Sequence, residues 1–441
     1  MWDVLRNRTY RHLLMAQVIA LVGTGLATVA LGLLAFDLAG ARAGEVLGTA
    51  LAIKMIAYVG IAPVAGALAE RLPRRAMLVT LDLVRAAVAC LLPFVTEIWQ
   101  IYVLIFVLQA ASAGFTPTFQ ATIPDVLPDD AQYTRALSLS RVAYDLESLV
   151  SPLLAAVLLS VVSFHTLFFG TLAGFLVSAC LVASVRLPTP TAATPRPFYE
   201  RTTRGIRNYL ATPRLRGLLA LTLAVAAASA MVIVNTVVLV QGQLGLSQRF
   251  TAVALAAFGC GSMTMAFALP RVLERLDARR TMLAGGAVLV VGLFAGSQVV
   301  GYSNLLALWF VLGLAYSATQ APTGLLLKRS SKASDRPGLF AAQFALSHGC
   351  WLIAYPLAGW SVSRAGGSAG FLVLSGLALI AWVMSVCAWP SKDPLEIEHE
   401  HFGVDTSDPH VAGAEQVGGG KWRHRHAFVI DREHPEWPRT P

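Results

Sequence analysis

GALAERLPRRAML, residues 66–78, ends one long apolar run, turns through a knot of charge and starts another. The same punctuation returns about 204 residues later as ERLDARRTML, residues 274–283. The correspondence spreads outward: Phe106-Val107-Leu108 maps onto Phe310-Val311-Leu312, Pro117-Thr118 onto Pro322-Thr323 and Pro152-Leu153 onto Pro356-Leu357. Chance readily supplies one such match, but not a set in register that joins corresponding segments. The chain reads as two copies of one unit.

Each copy is made of apolar runs. Of the 441 residues 56% are hydrophobic and 13% charged, against roughly 25% charged in ordinary soluble domains. Runs near the ~20 residues that carry a helix across a bilayer fall at about 12–37, 45–69, 76–96, 98–123, 136–161, 164–186, 215–240, 250–273, 280–300, 303–326, 338–363 and 369–389. Lipid offers the backbone no hydrogen bonds, so such runs must close their own as helices. The expected fold is an all-α membrane protein with 12 transmembrane helices in two parallel, pseudo-symmetric six-helix halves, 1–186 and 214–389. Halves related in this way place a central site at their interface and characterise transporters. Between them, 187–213 is a proline-rich, basic linker ending in a short surface helix, and 390–441 is a polar tail.

The net charge of +9 could suggest nucleic acid, but its placement reports topology. With both termini in the cytoplasm, all but six of the 34 Lys and Arg lie on that side. Arg42, Arg249 and Arg364 lie outside, and Lys54, Arg85 and Arg141 lie within spans. This is the positive-inside pattern. The first span is too long for a signal-peptide core and has no small-residue cleavage site after it, so it reads as an uncleaved helix. All five cysteines sit within spans, so neither disulfides nor a thiolate metal site is expected.

GALAERLPRR, residues 66–75, resembles the loop signature of the major facilitator superfamily, with Glu70 where Asp is usual and Pro73 where Gly is usual. The resemblance covers residues 1–389. Gly66 lets a neighbouring helix approach closely, Glu70 can pair with arginines or face a helix N-terminus, and Arg71, Arg74 and Arg75 stay at the interface. Membership implies a gate that latches when the cytoplasmic side is closed, with Glu274 and Arg275 at the second copy, and a monomer that suffices. Asp82 and Arg85, three apart on one helix, are placed to extend that charge network. FTPTFQATIPDVLPDD, residues 115–130, resembles the branch that includes macrolide and siderophore exporters and the nickel-resistance permeases (Nre). The chain departs from common drug:proton antiporters, with Gln109 in FVLQAASAG where Arg is frequent and SPLLAA where a Gly-Pro motif is expected. Export is the implied direction.

No carrier of chemical catalysis is visible. VGGGKWR, residues 417–423, lacks the glycine spacing and the Ser or Thr of a phosphate loop, and no Ser-His-Asp or HExxH arrangement occurs. The chain is therefore expected to be no enzyme and to need no cofactor, drawing on a proton gradient. Ionisable residues inside spans are functional candidates by default. The fifth span, RALSLSRVAYDLESLVSP (135–152), supplies Arg141 and Asp145, four apart and able to neutralise each other as a conformational lock. Glu147 lies about 200° around the helix from Asp145. A carboxylate at that depth is costly to keep charged, which suits it to take up and release a proton. The competing reading is a structural ion-pair network with Arg85 or Lys54. His348 maps by the repeat onto Tyr144 and can be a proton carrier, a metal ligand or a helix-to-helix hydrogen bond. Gln109, Asn235 and Gln320 belong to helices that line the cavity in the superfamily, so the resemblance implies substrate contacts there.

Six of the nine histidines follow residue 390. EIEHEH (396–401) carries Glu398, His399, Glu400 and His401, and His424 and His426 form a second pair. Few aliphatics and many charges predict disorder, and in extended backbone residues two apart share a side, as chelation requires. The leading expectation is a proton-coupled exporter of a divalent transition metal, nickel or cobalt, in a bacterial inner membrane. The alternatives are export of an organic molecule with the tail incidental, or a transporter-like metal sensor. Its partners are then a small solute, protons and the bilayer, with no nucleic acid. Convergence of His348, Asp145 and Glu147 favours a cation; an aromatic-lined cavity favours organic cargo; a tail docked across a closed pore favours sensing.

Overall fold

The computed structural model describes residues 2–39, 43–69, 71–159, 161–188, 198–299, 301–391, 396–402, 415–418, 421–426, 429–430 and 437. The first half runs through α1 (Arg8–Ala39), α2 (Ala43–Ala69), α3 (Arg74–Leu91), α4 (Ile98–Val126), α5 (Asp130–Leu159) and α6 (Phe164–Ala183). A linker helix, α7 (Phe198–Ala211), leads to α8 (Pro213–Val237), α9 (Gln248–Arg275), α10 (Ala278–Gly296), α11 (Tyr302–Gln320), α12 (Thr323–Arg329) and α13 (Arg336–Ala388).

Among the described residues, nine helices are long and apolar enough to cross a membrane, α11 and α12 counting together. The longest, α13, leaves helical geometry at Gly366 (φ 83°, ψ 172°) and makes two spans. A side chain at that φ is strained, so glycine is what lets the second span fold back. A Cβ on Gly370 would run into Val362. With α2 and α5, the count is twelve, in two six-helix halves.

Turns fall where charge and proline interrupt the apolar runs. Glu97 and Gln100 form a reciprocal capping box at the start of α4, and Asp277 accepts the Arg280 amide at 2.7 Å to open α10. Small residues set the packing, because helices in lipid associate by close approach rather than by expulsion of water. Ala224, Ala226, Ala227, Ala228 and Ala230 of α8 are wholly buried. A Cβ on Gly261 would meet the Phe310 carbonyl, and one on Gly313 the Phe258 carbonyl, so α9 and α11 touch backbone to backbone.

The halves meet where α2 lies on α13 and α5 on α9. The amphipathic α7 lies at the end of the bundle that carries the α2–α3 and α4–α5 turns, here called the basic end. Its Tyr209 donates to Gln343 Oε1 of α13, and burial holds the Tyr209 hydroxyl well above its usual pKa.

The tail departs from the expected disorder. Its described residues include β1 (Ile397–Phe402), β2 (Glu415–Gly418) and β3 (Lys421–His426), an antiparallel sheet of order β1-β3-β2. Charge alternation along the strands gives a physical reason: the Cα register sets Glu398 opposite Arg425 and Glu400 opposite Arg423, and Arg423 Nε lies 3.6 Å from Glu398 Oε1. Opposite charges across a ladder stabilise it. A count of aliphatics does not register that pattern. Further on, Ile430 packs against Ala211 and Trp437 and accepts a bond from Asn208 of α7 at 3.3 Å.

Candidate functional site

Two charged layers join the halves, one at the basic end and one at mid-depth. At the basic end Asp125, near the end of α4, accepts from Arg74 of its own half and from Arg336 of the other. The three side chains are 14%, 3% and 11% exposed, so water screens them little. Lys328 of α12 reaches across to Pro128 O and Asp130 Oδ1, both at 2.5 Å. Gly66 completes the closure: a Cβ there would stand 2.6 Å from Ala341 Cβ and 3.3 Å from Pro337 O. Of the expected gate residues, Gly66 and Arg74 thus lie at the inter-half seam. Arg71, Arg75, Glu274 and Arg275 are exposed, and Glu70 lies outside the described residues.

Asp82 and Arg85 do not extend this network. They pair with each other, Asp82 accepts from Ser178 of α6 at 2.8 Å, and the Arg85 guanidinium lies 4.0 Å from the Phe115 ring and 4.6 Å from Phe175. These partners all belong to the first half. The pair turns inward because its helix face packs on α4 and α6, where a buried arginine gains from aromatic faces.

At mid-depth, Tyr58 of α2 meets α13. Its ring stands edge-on to His348 at 4.6 Å and 4.9 Å from Phe344, and His348 continues to Trp351 at 5.7 Å. Tyr58 donates to Gln109 Oε1 at 2.9 Å and Trp351 to Ser229 Oγ at 2.8 Å. The His348 Nδ1 lies 2.7 Å from Phe344 O; a carbonyl accepts, so that nitrogen carries the proton and Nε2 is left for other use. Beside this wall the Lys54 ammonium stands 5.5 Å from the Tyr58 centroid. Glu147 of α5 is half-buried, with Ser151 beside it and Lys54 near enough for its charge to act. Arg141 crosses to the second half, donating to Ser262 Oγ at 3.1 Å with its guanidinium 4.5 Å from the Tyr316 ring.

The expected site residues thus separate. Glu147, Arg141 and His348 lie on the layer between the halves, and Gln109 orients its tyrosine. The Asp145 side chain lies outside the described residues, so the expected lock with Arg141 does too. Asn235 is 1% exposed and donates to Ala358 O at 3.2 Å, so it fastens α8 to α13 rather than lining a cavity. Gln320 sits half-buried where α11 breaks before α12. Among the described residues no three His, Cys, Asp or Glu converge to hold a metal. In the tail, His399 and His424 are direct Cα partners and Ile397 faces His426, but the side chains of His399, Glu400, His401, His424 and His426 lie outside the described residues. Sequence reasoning missed Asp125, Arg336, Lys328, Tyr58 and Tyr316, and gave Lys54 only a supporting part. The first three stand at span ends, where charge is ordinary; Lys54 was the visible signal, a lone cation inside an apolar run.

Twelve spans in two matching halves, closed against each other at one end and carrying charge at their mid-depth seam, define a transporter of the two-domain helical kind. The chain belongs to the Major Facilitator Superfamily, whose sequence pattern matches residues 13–295 and again 218–404. It is similar to macrolide efflux protein A of Streptococcus pyogenes, 27% identical over 155 residues, which is 33% of this chain and 38% of that protein. A transporter of Bacillus subtilis described as uncharacterised and MFS-type is 28% identical over 122 residues, 28% of this chain and 29% of its own. These matches span well under half of either relative's length. In fold it is similar to the human organic anion transporter MFSD10, with a TM-score of 0.75 at 13% identity, covering 86% of this chain and 99% of that one. An outward-facing bacterial homologue of the iron transporter ferroportin gives 0.72 at 14% identity, covering 86% and 99%.

Proposed function

We propose that this protein is a proton-coupled exporter of an organic molecule, working as a monomer in a bacterial inner membrane with its basic end and both termini in the cytoplasm. The observation that carries the reading is the aromatic wall of Tyr58, Phe344, His348 and Trp351 at the seam of the halves, with Lys54 and Glu147 beside it. Such a wall suits a bulky apolar cargo, and a few charged groups orient it. The likeness to macrolide efflux proteins supports the same class and direction.

The mechanism follows from the two layers. The Asp125 triad, the Lys328 bridge and the Gly66 contact close the cytoplasmic end, and the Tyr58–His348 and Arg141–Ser262 contacts join the halves at mid-depth. Opening that end for cargo must break them. Glu147 is the candidate proton carrier: as the halves rock, it meets first one compartment and then the other. Charge deep in the membrane is expensive, so its protonation biases which side opens.

The metal reading, with nickel or cobalt as cargo, retains one specific observation, the direct register of His399 and His424 across β1 and β3. Uptake into inverted membrane vesicles decides between the readings. A macrolide, a lipophilic dye and Ni, Co and Zn are compared under a proton gradient, for the full chain and for one ending at residue 390. We expect the organic compounds to accumulate in both forms, and Glu147→Gln to lose gradient-driven uptake with expression intact. Metal uptake with no organic uptake would overturn the proposal.

A further inference from the structure

Among the described residues, the mid-depth layer holds a cation, Lys54, that closes no salt bridge. Lys54 and Glu147 are near enough to act on each other's charge, yet among the described residues they do not come within the 4.0 Å of an ion pair. The Lys54 ammonium faces the Tyr58 ring, and that ring is fixed by its bond to Gln109. Trp351 is likewise pinned by Ser229, and His348 by the Phe344 carbonyl. The wall is therefore rigid, with aromatic surface presented beside a carboxylate. The α1 helix comes close on the other side: a Cβ on Gly25 would stand 2.6 Å from Glu147 Oε1. Rigid aromatic rings with a carboxylate held a little apart are one way proteins bind lipophilic cations, and each ring contact gains strength as it is desolvated. Here the protein supplies such a cation itself, on a flexible four-carbon stem.

We propose that Lys54 is a tethered stand-in for the cargo, and that a lipophilic organic cation, such as a molecule bearing a protonated amine, displaces its ammonium from the Tyr58 face and the neighbourhood of Glu147. This rests on the reading of the chain as an exporter of organic molecules and names the charge of what it carries. Lys54 then sets selectivity in two ways. It keeps the empty site from closing over an uncompensated Glu147 carboxylate, and it rejects weak cations that cannot compete with it. The opposite assignment, Lys54 as a receptor for an organic anion, uses the same residue and predicts the opposite response to charge.

Tetraphenylphosphonium and tetraphenylborate have nearly the same shape and opposite charge, so their binding to the purified full chain separates the two. Lys54→Met is expected to tighten tetraphenylphosphonium binding about tenfold, the scale of one removed like charge at short range. Adding Glu147→Gln is expected to cancel that gain, and adding Tyr58→Leu to reduce it at least about threefold through the lost ring contact. Lys54→Gln serves as a second variant should the methionine form fail to elute as a single species. Unchanged or weaker tetraphenylphosphonium binding in both Lys54 variants overturns the proposal, as does a gain that survives Tyr58→Leu undiminished. Should the wild type bind neither ion, the organic-cargo reading itself falls, and this inference with it; binding of both ions with no response to Lys54 sinks the inference alone.

Discussion

ERLPRRAML in the first half and ERLDARRTML in the second begin as copies and end with different duties. Arg74 of the first reaches Asp125, which also takes Arg336 from the other half. Arg279, its counterpart, donates from Nε and Nη2 to Trp389 O at 3.2 and 3.0 Å, at the end of α13 and within its own half. The position matching Asp125 is Ser330, a buried residue with no carboxylate to offer. Without that acid the second arginine settles on a helix C-terminus, whose carbonyls carry partial negative charge. The backbone keeps the twofold relation while the latch chemistry sits on one side. One copy became a cross-half lock and the other a staple inside its half.

The comparison breaks most visibly at Asp125. Asp125→Asn leaves Arg74 and Arg336 buried without a counter-charge, a change worth about 3–5 kcal/mol in such settings. We expect a large fall in the thermal midpoint of the detergent-purified protein. We also expect a cysteine placed at Ala341, buried at the seam, to become reactive to a cytoplasmic maleimide. Gly66→Val comes next. Its side chain would have to displace Ala341 and the Pro337 carbonyl, an overpacking cost of about 1–3 kcal/mol that falls on the closed state. Labelling at 341 should rise and export should fall about tenfold while each half stays folded. Unchanged labelling in both variants would mean that this seam is not the gate.

How much of this the sequence carried depends on the distance over which each contact is made. The spans were legible because a bilayer demands long apolar helices, and the halves because the repeat survives in short local words. The Asp125–Arg336 contact joins residues 211 apart, and neither is unusual at a span end, so no local pattern announces it. Asn235 differs for another reason. The resemblance placed it on a cavity-lining helix and implied a substrate contact, whereas here its buried amide bridges α8 and α13. Asp82 and Arg85 were expected to extend the gate network, but their helix face turns inward and they pair with each other; which way a helix faces is a tertiary fact. Lys54 was visible as an intramembrane cation, and its meaning waited on Tyr58 and Trp351, which come from opposite halves.

Lys328 tests whether the second half contributes any latch of its own. Its ammonium crosses to Pro128 O and Asp130 Oδ1, but the Asp130 side chain is 79% exposed and water competes for it. Lys328→Met should cost about 1 kcal/mol and change export less than about threefold. A loss as large as that of Asp125→Asn would make the latch two-sided and erase the asymmetry.

The smallest effect should come from the staple, and it sharpens the comparison most. Arg279→Ala removes a helix-terminal contact worth about 0.3–1 kcal/mol, with no change in export and no new labelling at position 341. Because Arg279 and Asp125 share no partner among the described residues, their effects on stability should add to within about 0.5 kcal/mol in the double variant. A double-mutant cycle in thermal denaturation reads this directly. Additivity makes lock and staple separate devices descended from one motif. A coupling well above that margin would show that Trp389, at the end of α13, feels the state of the gate near α13's beginning, and that the two copies still act together.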